Sequence, residues 1–138
     1  MKRYSVSKII QASPEKIWRI LTNIDDYPNW NPGVNKIEGS LKPGKKIKIF
    51  AKISPNRAFP AKVTTLEPCK KMIWTGGAPL KFMFKGERTF TLVPQENGIT
   101  KFDMQEVFSG VMSPLIPIPD LTPSFQEFAE ALKVKAEA

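Results

Sequence analysis

The stretch KGERTFTLVPQENGITKFDMQEVFSG, residues 85–110, alternates with a period of two on both sides of the tetrapeptide QENG. Side chains of a strand point to opposite faces in turn, so residues 81–93 and 99–109 read as two long strands. A three-residue loop, Glu96-Asn97-Gly98 with Gly98 left-handed, joins them. One parity holds Phe82, Phe84, Arg88, Phe90 and Leu92 on the first strand, and Phe102, Met104, Glu106 and Phe108 on the second. The other parity holds Lys85, Glu87, Thr89 and Thr91, then Lys101, Asp103, Gln105 and Val107. The aromatic parity is therefore the inner one. The same loop sets Leu92 opposite Phe102, Phe90 opposite Met104, and Arg88 opposite Glu106. Opposite charges on an apolar face are tolerated when paired, so an Arg88–Glu106 salt bridge is expected. The pair reads either as the polar end of a greasy pocket or as an ion pair that only stabilises the sheet.

Outward from this hairpin the order of elements follows. Residues 2–11 read as a first strand. SPEKIWRILTN then supplies a helix start, with Ser13 as N-cap, Pro14 in the first turn and Glu15 beside it, and an apolar stripe of Ile17, Ile20, Leu21 and Ile24. DDYPNWNPG breaks that helix and leaves room for one more helical turn across Tyr27 to Trp30. Short strands are expected over 34–38, 45–53, 61–67 and 72–75, separated by Gly and Pro turns. Helix signals return after VMSPLIPIPDLTPS, whose four prolines cannot all lie inside a helix. There Ser124 and Glu127 form a capping box, and Phe125, Phe128 and Leu132 a stripe. The fold class is α+β: a curved antiparallel sheet of about seven strands wrapped around a C-terminal helix, with one or two short helices after the first strand. Residues 1–138 read as one domain, with a cavity between sheet and helix.

Composition narrows the chemistry. The chain has no histidine and one cysteine, Cys69. Ser-His-Asp, Cys-His and HExxH chemistry, an internal disulfide and a cysteine-built zinc site are thereby excluded, and neither a metal nor a cofactor is expected. The net charge of +8 comes mostly from lysines that alternate with apolar residues, as in Lys46-Ile47-Lys48-Ile49. That pattern fits the solvated outer face of a sheet, and no nucleic-acid-binding signature accompanies it. No signal peptide or membrane-length apolar run is visible, so a soluble cytoplasmic protein is expected.

SPEKIWRILTNIDDYPNWNP, the long hairpin ending in Glu-Val-Phe-Ser-Gly, and FAEALKVKAEA together resemble the START-like, Bet v 1-type helix-grip superfamily (SRPBCC). The resemblance is to its polyketide cyclase/dehydrase and lipid transport-like branch and spans nearly the whole chain. It implies the helix-grip fold and a role in binding or carrying a small hydrophobic or amphipathic ligand. Two further readings stay open: a cyclase or dehydratase in which Glu106, Arg88 or Tyr27 steers proton transfer, and a chaperone-activator-like interaction module. The residues expected at the ligand are Trp30, Phe82, Phe84, Arg88, Phe90, Phe102, Met104, Glu106, Phe108, Met112, Phe125 and Phe128. Trp30 is placed near the cavity entrance by resemblance, whereas Trp18 and Trp74 read as core. The proline segment is expected to be a lid, a docking surface that makes transient membrane contact, or a packed loop. Either a monomer or a homodimer is compatible with the sequence.

Overall fold

The computed structural model describes residues 2–52, 54–77 and 80–138. Strand β1 (Lys2–Ile10) is followed by helix α1 (Pro14–Thr22), a 3-10 turn (Ile24–Asp26) and the short helix α2 (Tyr27–Trp30). Then come β2 (Val34–Gly39), β3 (Lys46–Ala51), β4 (Ala58–Glu67), β5 (Lys71–Gly77), β6 (Lys85–Pro94) and β7 (Thr100–Ser109), and finally helix α3 (Thr122–Glu137). All neighbours are antiparallel in a seven-stranded sheet of order β1-β7-β6-β5-β4-β3-β2. The first strand thus lies beside the last. Register shifts at Val34/Lys36 and Val63/Thr65 are of the kind that bends a strand. The α+β helix-grip arrangement expected from the sequence is the one observed.

Some boundaries differ. β4 starts at Ala58, because residues 58–60 pair with Phe50, Ile49 and Lys48 instead of turning. The end expected for β3, Ile53, lies outside the described residues. β6 starts at Lys85, four residues later than its alternation suggests.

α1 begins as its sequence dictates: Ser13 Oγ accepts from the Lys16 amide at 3.1 Å, and Pro14 occupies the first turn. Its buried face is Ile17 and Leu21. Thr100, wholly buried at the start of β7, donates its hydroxyl to the Ala12 carbonyl at 2.7 Å and so ties the β1–α1 corner to the hairpin. α3 starts earlier than its capping box implies. Asp120 Oδ1 accepts from the Thr122 amide at 2.9 Å, and Ser124 Oγ, inside the first turn, donates back to the Leu121 carbonyl at 3.0 Å. A local aspartate turn has outcompeted the Ser124–Glu127 box. Phe125, Phe128, Ala129, Leu132 and Ala136 form the buried side of α3, and the helix lies closest to β1 and α1. Further bonds hold it there: the Gln11 amide donates to Glu137 Oε2 at 2.8 Å, and Lys133 Nζ to the Ile9 carbonyl at 3.1 Å. Among the described residues no helix is long and apolar enough to cross a membrane.

Candidate functional site

The hairpin delivers its inner face in the expected register: Leu92 opposite Phe102, Phe90 opposite Met104, and Arg88 opposite Glu106. On either side, β5 sets Met72 beside Phe90 and Trp74 beside Arg88, while β1 sets Val6 beside Met104 and Tyr4 beside Glu106. Because α3 lies nearest β1, the gap over the central strands is crossed by side chains rather than closed by helix backbone. Phe128 is the hub. Its ring centroid lies 5.4 Å from Trp30, 6.0 Å from Phe90, 6.2 Å from Phe102 and 6.4 Å from Tyr27. Trp74 meets Phe90 edge-on at 4.8 Å. Phe90, Phe102, Met104, Phe125 and Phe128 are all buried.

Toward the start of β6 the face becomes polar and more open. Arg88 Nε donates to Glu106 Oε1 at 2.6 Å, with the two side chains 28% and 14% exposed. The guanidinium carbon sits 5.0 Å from the centroid of Phe125, within the range of a cation–π contact. Beyond the pair, Phe108 stacks on Phe84 at 5.9 Å and meets Tyr4 edge-on at 6.4 Å. Phe108 lies across Gly86: a Cβ there would come within 3.1 Å of the ring. Glycine is what lets this aromatic fold flat over the strand.

Ten of the twelve residues expected at the site are therefore gathered on or over the inner face: Trp30, Phe84, Arg88, Phe90, Phe102, Met104, Glu106, Phe108, Phe125 and Phe128. Phe82 and Met112 are not. The Met83 amide closes a turn onto the Leu80 carbonyl at 3.0 Å, so the alternation is broken before β6, and Phe82 is 68% exposed. Met112, past the end of β7, is also exposed. Tyr4 joins the cluster unforeseen. Its alternation with Val6 was readable, but its position depends on β1 pairing with β7, which no local pattern announces.

Tyr27 is engaged elsewhere. Its hydroxyl donates to the Leu21 carbonyl at 2.6 Å and closes the end of α1. Burial pushes the phenol well above its ordinary ionisation range, and the positive charge of Arg88 offsets this only in part. Since the folded-state pKa is the raised one, the contribution of the neutral phenol is complete below about pH 10. It is lost as pH rises further, at up to about 1.4 kcal/mol per pH unit. Tyr27→Phe is expected to cost about 1–2 kcal/mol at neutral pH, for the orphaned carbonyl, and to remove this part of the alkaline decline. Urea unfolding of both proteins at neutral and alkaline pH checks it; an unchanged decline in the variant would contradict it.

The Nε1 atoms of Trp30 and Trp74 are buried hydrogen-bond donors with no partner among the described residues. The Asn31 amide nitrogen and the Ser113 hydroxyl are likewise buried without a partner among the described residues. Two open surface depressions lie elsewhere. One, of about 770 Å³, runs between α2 and the outer side of α3 past Trp30, Pro32 and Val134; the other, of about 740 Å³, lies at the hairpin tip beside Ile9 and Ile99. Neither is the cavity expected between sheet and α3, where the rings meet one another. Among the described residues no group of three or more His, Cys, Asp or Glu is arranged to hold a metal ion.

Solved structures share this fold. The chain is similar to the Aha1 dimer from Colwellia psychrerythraea, with 25% identity, 99% of this chain and 97% of that one covered, and a TM-score of 0.76. It is similar to a START superfamily protein from Mycobacterium smegmatis, with 20% identity, coverage of 98% and 97%, and a TM-score of 0.73. It also matches the di-domain ARO/CYC BexL of the BE-7585A biosynthetic pathway at 12% identity and a TM-score of 0.75, spanning 97% of this chain and 46% of that one. A comparison with curated proteins gives no significant match. Residues 1–137 match the family described as polyketide cyclase / dehydrase and lipid transport, and the chain belongs to that family.

Proposed function

We propose that the protein binds and carries a small amphipathic molecule between α3 and the inner face of the sheet. The observation that carries this reading is the Arg88–Glu106 pair, part-accessible at 28% and 14% on an otherwise aromatic wall. The ligand's apolar body takes the place that the rings of Phe90 and Phe102 now occupy against Phe128. Its polar group meets the charged pair. A guanidinium has five N–H donors, and the bond to Glu106 uses one, so a ligand carboxylate or carbonyl can accept from the others. Glu106 Oε2, turned toward Gly86, can accept from a hydroxyl. The unpartnered indole N–H groups of Trp30 and Trp74 offer donors deeper on the wall.

Carriage is favoured over proton-transfer catalysis because the candidate acid-base groups are already engaged: Arg88 and Glu106 with each other and Tyr27 with a backbone carbonyl. Titration with a long-chain fatty acid, followed by indole fluorescence, tests the proposal. Saturable one-to-one binding is expected, weakened at least tenfold in Arg88→Met, about the worth of one charge-assisted hydrogen bond. Failure of the acid to bind, or equal affinity for an alkane of the same length, would refute it.

A further inference from the structure

Two connections at one end of the sheet are clamped together. The Val111 amide donates to the Phe82 carbonyl at 3.0 Å and the Met112 amide to the Met83 carbonyl at 2.8 Å. Gly110, at φ +108, lies so close that a Cβ would come within 2.6 Å of Met83 O. Only glycine permits both that dihedral and that approach. The clamp turns apolar side chains outward: Leu80 is 56% exposed, Phe82 68%, Val111 70% and Leu115 73%. The β3–β4 connection opens at the same end of the sheet, and there Phe59, 42% exposed, lies under Arg57 at 5.7 Å.

Charge around these tips has one sign. Residues 54–60, 80–86 and 110–119 contain Arg57, Lys81 and Lys85 and no acid, and Lys2 and Lys52 stand at the same end. The nearest acids in sequence are Glu87, 3.9 Å from Lys85, and Asp120, whose carboxylate caps α3. Exposed apolar tips within a cationic rim match an anionic lipid surface, into which apolar groups insert while lysine and arginine stay among the headgroups.

We infer that this end of the molecule docks on anionic bilayers through Phe82, Val111 and Leu115. The inference stands whether or not the inner face carries a ligand. It is tested by flotation of the whole chain with vesicles of phosphatidylcholine containing about one third phosphatidylserine. Binding is expected, at least tenfold weaker for the Phe82→Ser/Leu115→Ser double variant and severalfold weaker at high salt. Both side chains are largely exposed, so the variant should unfold at the wild-type temperature and bind soluble fatty acid as the wild type does; that separates loss of docking from loss of ligand binding. No binding by the wild type, full binding by the double variant, or equal binding to pure phosphatidylcholine would overturn the inference.

Discussion

Replacing Phe128 by alanine is expected to lower the free energy of unfolding by about 3–5 kcal/mol, the range for a buried phenylalanine truncated to alanine. It should also increase the uptake of an apolar dye. Four rings, two from α2 and one each from β6 and β7, end on this side chain. α3 itself sits nearer β1, so neither helix nor sheet can settle into the space the ring leaves. The volume removed becomes cavity in the place where the ligand is proposed to lie. Because a domain has only about 5–15 kcal/mol in total, Phe128→Leu, which keeps most of the volume, serves as the milder partner at about 1 kcal/mol. Urea unfolding and dye fluorescence of the two variants decide the matter. A loss below about 1 kcal/mol for the alanine variant would mean that the site collapses freely and that the rings do not hold the gap open.

The second large effect concerns the charged pair. Glu106→Leu strands the Arg88 guanidinium on an apolar wall. Removing one partner of a fully buried pair costs about 3–5 kcal/mol. With Arg88 28% exposed and Glu106 14% exposed, water recovers part of that, and about 2 kcal/mol is expected. The double variant Arg88→Met/Glu106→Leu should recover most or all of the loss, because an isosteric apolar pair has no charge to desolvate. It should nevertheless lose discrimination between a fatty acid and an alkane. Chemical unfolding of the two variants together with the wild type gives the stability comparison. Single and double variants of equal stability would show that Arg88 had found another partner, and a double variant that still preferred the acid would remove the pair from the site.

Much of this arrangement was legible from period two alone. The hairpin's parity named Phe90, Phe102, Met104 and Glu106 as inward, and the loop Glu96-Asn97-Gly98 set the register that brings Arg88 to Glu106; in the structure Asn97 and Gly98 both have positive φ, 60° and 72°. Ser13 capped α1 as read. The failures share a cause. Phe82 alternates in sequence with Phe84, but the backbone there bonds to residues 111 and 112, partners that come almost thirty positions later and leave no local trace. Asp120 takes the start of α3 from Ser124, because either residue can satisfy an orphan amide and the preceding chain geometry selects between them. The packed space beneath α3 was illegible for a third reason. Curvature implies a gap, whereas its filling depends on where Phe128, reaching from the helix, meets the rings of the sheet. The proline segment divides in the same way: Ile116 and Ile118 are partly buried, while Val111 and Leu115 point out.

Native mass spectrometry of protein purified gently from its own host, followed by denaturing extraction, tests the central claim most directly. The structure predicts a one-to-one adduct that extraction releases as an amphipathic molecule bearing a carboxylate, carbonyl or hydroxyl. A chain that carries nothing, and that takes up neither fatty acid nor apolar dye when offered them, would show that the aromatic layer is a closed core and would contradict the claim.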